Sequence, residues 1–500
     1  MTTARARIPR LGPGAVYLRA LDPLFRAHPD LIRVAEVEPS TLWVRATSAD
    51  AAPRGSGIEL QALADLPQHR LLHGVGYPVG GVICDQARHV GEFRRWSEAL
   101  DAPWVSEHLS VLEVEGARGV TPCGFLMPPL QTDAGVQLAA ANIARRRTRL
   151  ARPFAFETGV SYFAPRPGEM SDGAFFAGVA EAAECGILLD LSNLTVNERN
   201  GRDRVEQVLA RLPLDRVWEL HLAGAEFAHG YWLDAHSGAV DPDVVAMAAD
   251  LVADLPQLGA VIFEVSSDRL PVFGQAAFLR QMEVMAGLWE TAGSGRSAPT
   301  MRGPQSGRPA AASPEAVTAA PLTPVDWETL IAARLLPADH RPPLTADLEE
   351  TADSCAFALY ATLVAAFRRG AVSDLLENTI RLLLATLGEA GARDLLDAFI
   401  AAVPPSLYPS DEALAFSDFL DSIGIDAPGL ADILAFEAAV VRAAVDDRPV
   451  RVQLKRPLDA LLASIAAGRP PGGPEGAPYR VEVGGAAGLR MLEDQPGAPQ

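Results

Sequence analysis

The chain has 500 residues, of which 49% are hydrophobic and 21% charged, a balance typical of a soluble globular protein with two domains. Its formal net charge of -20 and the lack of a clustered basic stripe argue against nucleic acid as a partner. No segment has the about 18 uninterrupted apolar residues of a membrane span, and MTTARARIPR lacks the apolar core of a secretion signal. We therefore expect a cytoplasmic protein without membrane contact.

The first 265 residues alternate between short apolar runs and segments with helical spacing, such as residues 133–150 and 173–183. This alternation predicts parallel strands joined by helices, and eight such strands are enough to close a β/α barrel. The predicted strands cover residues 15–18, 32–37, 70–75, 104–106, 153–157, 186–191, 217–222 and 260–265. Because the carboxyl ends of barrel strands meet at one rim, we expect the active site there.

The composition changes after residue 292. Residues 293–324 are rich in Gly, Pro, Ala and Ser, which predicts a flexible linker between a barrel domain, residues 1–292, and a smaller, mainly helical domain, residues 325–490. Helical spacing is clearest at residues 353–369, 373–387 and 428–445, and two short strands are predicted at residues 450–455 and 479–483. We expect residues 491–500 to form a disordered tail.

Cysteine and lysine usage narrows the possible chemistry. The four cysteines are scattered without a CxxC pair, so they form neither a thiolate metal site nor an obvious disulfide framework, and we expect reduced thiols. Lys455 is the single lysine, which excludes a P-loop and a Schiff-base lysine within the barrel. The chemistry must therefore come from a metal, a carboxylate or an imidazole.

Seven of the apolar runs end in, or lead into, a potential metal ligand. The runs are RLLHGVG, WVSEHLS, FAFETGV, ILLDLSN, WELHLAG, WLDAHSG and AVIFEVS, and their candidate ligands are His73, His108, Glu157, Asn193, His221, Asp234, His236 and Glu264. Imidazoles and carboxylates without thiolates suit iron, manganese or zinc. Because eight donors exceed the needs of one ion, the sequence predicts two or three ions, with Glu157 able to bridge two of them.

Each candidate also has an ordinary structural interpretation. A single buried histidine is more often hydrogen-bonded in a core than bound to metal, and Asn193 is of a type that usually caps a helix or forms a turn. Arg269 is an alternative partner for Glu264. Asp190 and Glu107 are either outer residues that orient imidazoles or ordinary polar residues of the rim. It is the series of eight donors that favours metal binding.

These motifs resemble the multinuclear non-heme iron-dependent oxidative enzymes (MNIO), domain of unknown function 692, a family that includes the methanobactin biosynthesis oxidase. The resemblance spans roughly residues 10–290. It depends on HGVG at His73, SEHLS at Glu107 and His108, the strand end at Glu157, LLDLSN at Asn193, LHLAG at His221, DAHSG with Asp234 and His236, and FEVSSD at Glu264. The combination of motifs is highly specific.

The resemblance implies a TIM-like, xylose-isomerase-like barrel that holds two or three iron ions in mixed Fe2+/Fe3+ valence. It places His73, His108 and Glu157 around one ion, and Glu157, Asn193, His221 and Glu264 around its neighbour, with Asp234 and His236 completing the cluster. In that family the iron activates dioxygen and oxidises a residue, often cysteine, of a ribosomally made precursor peptide. The sequence departs from the family pattern at Ala225, where a second histidine is usual, and His229 is a possible substitute.

The C-terminal domain resembles partner proteins of the domain of unknown function 2063 type, on the segments SDEALAFSDFL and APGLADILAFEAAVVRAA. This implies that oxidase and partner are fused, so that a separate partner protein is unnecessary and the linker keeps the presenting domain near the barrel at roughly millimolar local concentration. The expected function is an iron-dependent, dioxygen-using peptide oxidase. Two alternatives stay open, namely a redox-inert metal-dependent isomerase or phosphodiesterase on the same barrel and a binding scaffold without turnover.

Overall fold

The structure is a computed structural model that describes residues 8–44, 53–84, 87–292, 322–350, 354–446, 448–471, 479–484 and 489–492. The strands are β1 (Gly12–Val16), β2 (Val34–Val37), β3 (Trp43–Val44), β4 (Arg54–Gly55), β5 (His69–Gly74), β6 (Val105–His108), β7 (Val111–Gly116), β8 (Gly119–Met127), β9 (Phe154–Glu157), β10 (Gly186–Asp190), β11 (Val217–Ala223), β12 (Ala225–Ala228), β13 (Tyr231–Asp234), β14 (Ala260–Glu264), β15 (Val450–Leu454), β16 (Tyr479–Val483) and β17 (Leu489–Leu492).

The α-helices alternate with the barrel strands and then form most of the C-terminal region. They are α1 (Asp22–Ala27), α2 (Gly57–Ala64), α3 (Ala87–Ala99), α4 (Asp133–Leu150), α5 (Asp172–Ala183), α6 (Leu191–Arg199), α7 (Val205–Leu209), α8 (Pro242–Leu251), α9 (Leu270–Phe273), α10 (Gln275–Ala292), α11 (Pro324–Leu335), α12 (Ala346–Glu350), α13 (Ser354–Leu375), α14 (Glu377–Ala402), α15 (Pro409–Ile423), α16 (Leu430–Asp446) and α17 (Leu458–Ala466).

Eight strands form a closed parallel barrel in the spatial order β1, β2, β5, β6, β9, β10, β11 and β14, with β14 pairing back onto β1. The strands are apolar because both of their faces are covered, by the barrel interior on one side and by helices on the other. In β10, for example, all five residues of GILLD are buried. The predicted TIM-like barrel is therefore confirmed.

The first strand was predicted too far along the chain. The structure places β1 at Gly12–Val16, whereas the sequence favoured residues 15–18. Glycine and proline in GPGAV are poor strand formers, so the local pattern conceals the strand. Its position is set instead by pairing with both neighbours, through Gly12 to Ala260 on β14 and Val16 to Glu36 on β2.

Two helices that follow the rim begin at side-chain caps. The Thr132 hydroxyl accepts a hydrogen bond from the Gly135 backbone N–H at the start of α4, and the Ser171 hydroxyl accepts one from Ala174 at the start of α5. Such caps satisfy donors that have no partner within the helix, each contributing about 1 kcal/mol. They help to fix where the loops after β8 and β9 end.

The C-terminal region contains α11 to α17 and a three-stranded antiparallel sheet, β15–β16–β17. Two predicted boundaries were wrong: α13 continues to Leu375 rather than ending near residue 369, and α14 extends to Ala402 rather than to residue 387. The disordered tail was predicted to begin at residue 491, but Met491 pairs with Val481 in the sheet, so the predicted start is too early. The proposed linker lies outside the described residues, apart from residues 322–324.

One helix of the described residues, Cys355–Leu375, is long and apolar enough to cross a membrane by length and composition. It packs inside the protein, however, and its Tyr360, Val364 and Val372 side chains are buried. Arg368 on the same helix is buried as well and forms an ion pair with Glu412 on α15. These contacts place one face of the helix in the protein core.

The C-terminal region packs onto loops and hairpins that follow the carboxyl ends of barrel strands. The Trp327 indole N–H donates to the Pro128 carbonyl at 2.8 Å, and the Val82 backbone N–H donates to the Glu328 carboxylate at 2.6 Å. Phe163, in the loop after β9, stacks on Tyr360 with ring centroids 5.1 Å apart. The helical region therefore covers part of the rim at which the active site is expected.

Candidate metal centre

Five of the eight predicted ligands lie on barrel strands. They are His73 on β5, His108 at the end of β6, Glu157 at the end of β9, His221 on β11 and Glu264 at the end of β14. The other three follow strands: Asn193 lies in the first turn of α6, Asp234 ends β13, and His236 comes two residues later. All eight side chains approach the carboxyl end of the barrel.

Glu157 holds one end of the resulting cluster. Its Oε2 atom lies 3.0 Å from His73 Nε2 and 3.0 Å from His108 Nε2, while its Oε1 atom accepts a hydrogen bond from the Asn193 amide at 3.1 Å. One carboxylate is thus shared by two imidazoles and an amide. These three residues come from two different strands and a helix, far apart in the chain.

Glu264 holds the other end. Its Oε1 atom lies 3.2 Å from His221 Nδ1, and its Oε2 atom lies 3.4 Å from His236 Nε2. The same His236 nitrogen lies 3.1 Å from Asp234 Oδ1. Glu264 therefore connects the fully buried His221 with His236, which follows β13 and also contacts Asp234.

The two ends are in contact with each other through their histidines. The ring centroids of His73 and His108 lie 4.6 Å apart, and those of His73 and His221 lie 5.5 Å apart. In three sets of residues, the donor atoms of each set lie within 4.8 Å of one another. The sets are His73, His108 and Glu157; Glu157, Asp190 and His221; and Glu36, His221 and Glu264. Because Glu157 and His221 each belong to two groups, the cluster is continuous.

Charge is distributed between buried carboxylates and imidazoles. Burial raises the pKa of Glu157, but His108 and His73 outweigh it and bring its pKa to about 2. Burial also raises the pKa of Glu264, but His221 and His236 outweigh this effect and hold its pKa well below the ordinary value. Burial lowers the pKa of His108, whereas Glu157 and Glu107 raise it, to about 10. The carboxylates thus require positive charge beside them.

Several buried acceptor atoms have no hydrogen-bond partner among the described residues. They include Asn193 Oδ1, Asp190 Oδ2, Asp234 Oδ1 and His221 Nδ1. Buried polar atoms are normally satisfied, and leaving several acceptors together without a donor is costly. A metal cation satisfies lone pairs of this kind, and nitrogen and oxygen donors suit iron, manganese or zinc. The residues present therefore fit a metal centre.

In His73 and His108, the ring nitrogen that does not face Glu157 also has a polar contact. His73 Nδ1 lies 2.9 Å from the Ser106 hydroxyl, and His108 Nδ1 lies 2.9 Å from the Gly74 carbonyl oxygen. Glycine at position 74 leaves room for the Glu107 carboxylate, because a Cβ atom there would lie 2.1 Å from Glu107 Oε2 and would displace it. Glu107 Oε1 accepts a hydrogen bond from the His108 backbone N–H at 3.0 Å. This packing explains why HGVG and SEHLS occur together.

The alternative partners considered from the sequence are not found at the cluster. Arg269 forms ion pairs with Glu226 and Asp268 rather than with Glu264. His229 is exposed in the turn between β12 and β13, so it does not replace the histidine expected at position 225. Ala225 itself lies opposite Asp234 in this hairpin. Because alanine stands where the family pattern has a second histidine, position 225 offers no metal-binding atom.

Sequence reasoning missed Glu36, Glu38 and Glu219. Glu36 and Glu219 are fully buried within β2 and β11, and Glu36 lies 3.1 Å from His221 Nε2. Burial raises the pKa of Glu38, which also interacts with His73 and Glu264. The available signal was a carboxylate in the middle of an apolar strand, as in VAEV and VWELHLA, because such a group is costly to bury without a partner.

Asp190 was set aside in the sequence but lies within the cluster. Its Oδ1 atom caps α6 by accepting a hydrogen bond from the Asn193 backbone N–H at 2.7 Å. Burial raises the pKa of Asp190 well above its ordinary value, and Asp234 and Glu157 add to this effect. Asn193 therefore lies in the first turn of a helix, as its ordinary structural interpretation predicts, but its side chain faces Glu157.

Exposure increases from the barrel interior to the rim. The His221 side chain is 0% exposed, that of His108 is 17% exposed, and that of His236 is 31% exposed. A molecule from solvent therefore reaches the cluster from the side of His236 and His108. The interior side is closed by packed strands.

Sequence comparisons identify relatives of the barrel region. A profile of the family described as RiPP precursor modification enzyme MbnB/TglH/ChrH matches residues 29–277. The chain is 31% identical to a UPF0276 protein of Anaeromyxobacter sp. (strain Fw109-5) over 242 residues, which cover 48% of this chain and 83% of the relative. It is also 31% identical over 209 residues to a UPF0276 protein of Chromobacterium violaceum, covering 42% and 74%.

Solved structures with detectable similarity include a xylose isomerase domain-containing protein from Salmonella typhimurium. It has 13% sequence identity and a TM-score of 0.40, and the match covers 57% of this chain and 99% of that protein. A structure of L-ribulose 3-epimerase has 14% identity and a TM-score of 0.37, covering 57% and 95%. The barrel assignment depends on the strand pairing of the chain itself and not on these similarities.

Proposed function

The chain belongs to the RiPP precursor modification enzyme family MbnB/TglH/ChrH, and we propose that it is an iron-dependent, dioxygen-using oxidase of a ribosomally made precursor peptide. The observation that carries the proposal is the pair of buried carboxylates, Glu157 and Glu264, each shared by two histidines at one barrel rim. Because iron accepts nitrogen and oxygen donors, this set is chemically suitable for it.

The proposed ligands are the eight predicted from the sequence together with Asp190. His73, His108 and Glu157 would hold one ion, and Glu157, Asp190 and His221 a neighbouring one. Asn193 Oδ1, which is buried and without a partner among the described residues, faces the same centre. Asp234, His236 and Glu264 offer a third set nearer the solvent. Two or three ions in mixed valence are consistent with this number of donors.

Bound iron would supply one-electron redox chemistry and a site for dioxygen. The protein's own part is to orient the donors and to exclude water from the interior side, where His221 is 0% exposed. The partly exposed His108 and His236 leave the rim side open to a peptide. Cysteine is the proposed target residue, because a thiolate is a good ligand for iron.

The proposed role of the C-terminal region is to present the precursor peptide. It packs on the loop after β5, the loop after β9 and the region before α4, through Glu328, Tyr360 and Trp327. A presenting domain in the same chain would make a separate partner protein unnecessary. We also propose a cytoplasmic location, where precursor peptides are made and thiols stay reduced.

The test is to co-express the chain with a short neighbouring gene that encodes a Cys-containing peptide and to measure the peptide mass. The purified protein is then loaded anaerobically with ferrous salt, and its metal content and dioxygen uptake are measured. A mass change in the peptide, with two or three iron ions per chain and dioxygen uptake, supports the proposal. Zinc or manganese alone, with no dioxygen uptake, would favour a redox-inert metalloenzyme, and no bound metal would favour a scaffold.

A further inference from the structure

A row of buried polar groups lies on the interior side of the cluster, next to His221. The Trp104 indole N–H donates a hydrogen bond to Glu219 Oε2 at 3.0 Å, and the buried carboxyl group of Glu219 interacts electrostatically with that of Glu36. Glu36 Oε1 then lies 3.1 Å from His221 Nε2. All four side chains are fully buried, so this row is isolated from solvent.

The two nitrogens of His221 face different surroundings. Nε2 points to Glu36, with the second carboxylate, Glu219, 3.9 Å away. Nδ1 lies 3.2 Å from Glu264 and has no hydrogen-bond partner among the described residues. When Nε2 carries the proton and donates it to Glu36, the lone pair of Nδ1 is free and directed toward the cluster. Nδ1 is therefore the ligand atom that this arrangement offers.

We propose that Glu36 is a positioning residue that fixes the tautomer and ring orientation of His221, and that Glu219 and Trp104 in turn hold Glu36. A carboxylate that accepts the outer N–H of a metal-binding histidine also makes that histidine a stronger donor. His73 and His108 differ, because the outer nitrogen of His73 contacts the Ser106 hydroxyl and that of His108 lies 2.9 Å from the Gly74 carbonyl oxygen, with Glu107 farther away at 3.8 Å. The inference rests on the proposed metal centre, but not on iron or on oxidation.

Direct ligation by Glu36 is the rival explanation, because Glu36, His221 and Glu264 lie within 4.8 Å of one another. The geometry favours positioning. Glu36 contacts His221 through Nε2, whereas Glu264 contacts it through Nδ1, the nitrogen that also lacks a partner. Both Glu36 oxygens lie within 3.2 Å of His221 Nε2. To bind the metal ion, Glu36 would have to turn an oxygen away from this nitrogen.

The test uses the full chain and Co2+ alone as the probe, because its visible absorption reports on coordination. Glu36→Gln keeps an acceptor for Nε2, whereas Glu36→Leu removes it at similar volume. Gln68→Leu is the matched control, since Gln68 is also buried, directly precedes β5 and donates a hydrogen bond to the Phe25 carbonyl. Apo-protein folding is checked for each variant by circular dichroism.

Positioning predicts that Glu36→Leu weakens Co2+ binding by about 10- to 100-fold, while Glu36→Gln stays within a few-fold of the parent protein and shows a shifted absorption spectrum. The control should bind Co2+ normally. Unchanged binding by folded Glu36→Leu would overturn the proposal. Equal losses in folded Glu36→Gln and Glu36→Leu would also overturn it, in favour of direct ligation.

If Glu36→Leu does not fold, Trp104→Phe provides a second measurement. It removes only the indole N–H that holds Glu219, so a smaller loss of Co2+ affinity with an altered spectrum supports the proposal, and an unaltered spectrum with unaltered affinity contradicts it. The inference is separable from the proposed function. Parent protein that binds Co2+ but never oxidises a peptide would disprove the oxidase and leave the role of Glu36 intact.

Discussion

Glu157 and Glu264 each contact two histidines, but the histidines at the two ends are held by different partners. At the Glu157 end, His73 and His108 are supported by a hydroxyl and a backbone carbonyl. At the Glu264 end, the outer nitrogen of His221 contacts the buried carboxylate of Glu36, whereas Asp234 and Glu264 both contact Nε2 of His236. A carboxylate makes an imidazole a stronger metal donor than a neutral acceptor does.

Exposure separates the two ends in another way. The Glu264 end extends from a closed interior at His221 to His236, which is 31% exposed, whereas the histidines of the Glu157 end are 2% and 17% exposed. We therefore expect one ion to be held tightly in the interior, and ions nearer the rim to exchange and to be accessible to substrate.

The largest effect is expected from Glu157→Gln, because Glu157 belongs to two of the three donor groups. Replacing the carboxylate should lower metal affinity by about 100-fold or more, above the loss typical of outer partners, and abolish dioxygen uptake with peptide. Metal content after anaerobic ferrous loading measures this. Full metal content and activity in the variant would refute a bridging role for Glu157.

Glu264→Gln should sharpen the comparison by affecting one end. Glu264 contacts His221 and His236 but does not contact His73 or His108 within the distances of an ion pair in the described residues. We expect loss of the ion or ions at that end, while the ion held by His73, His108 and Glu157 remains. Metal counting together with Mössbauer spectra measures this, and the idea of separable ends fails if all metal is lost.

A smaller effect is expected from Asp234→Asn. The Asp234 side chain is 17% exposed and contacts one histidine, His236, so its removal should weaken a single rim ion by about 10-fold. Titration with ferrous ion under anaerobic conditions should show fewer tight sites with the interior site unchanged. His229→Ala is the matched control, because His229 is exposed in the turn of the same hairpin and should have no effect.

The smallest effect is expected from Tyr360→Phe. The Tyr360 hydroxyl accepts a hydrogen bond from the Tyr162 backbone N–H at 3.3 Å, and the Tyr162 hydroxyl accepts one from Asp234 N–H at 3.2 Å. Removing the first contact should cost about 1 kcal/mol of stability and change binding at the Asp234 side alone. Denaturant unfolding and metal titration test this, with Tyr479→Phe on β16 as control.

Sequence patterns were enough to predict the class of fold and to propose a set of candidate donors at one rim. Parallel strands appear as short apolar runs, and the carboxyl ends of all eight strands must meet at one rim, so residues that end different runs, such as His108, Glu157 and Glu264, could be assigned to one site. The limits of α4 were also predicted, because its cap and its helical spacing are local signals.

The residues that contact these donors from the barrel interior could be identified only from the tertiary structure. Glu36 and His221 are 185 residues apart in the chain, and nothing local indicates that β2 and β11 bring them into contact across the barrel interior. The position of β1 likewise depends on its neighbours, since GPGAV is a weak strand by propensity. Local patterns report which residues share a face, whereas contacts between distant strands depend on register and closure of the whole barrel.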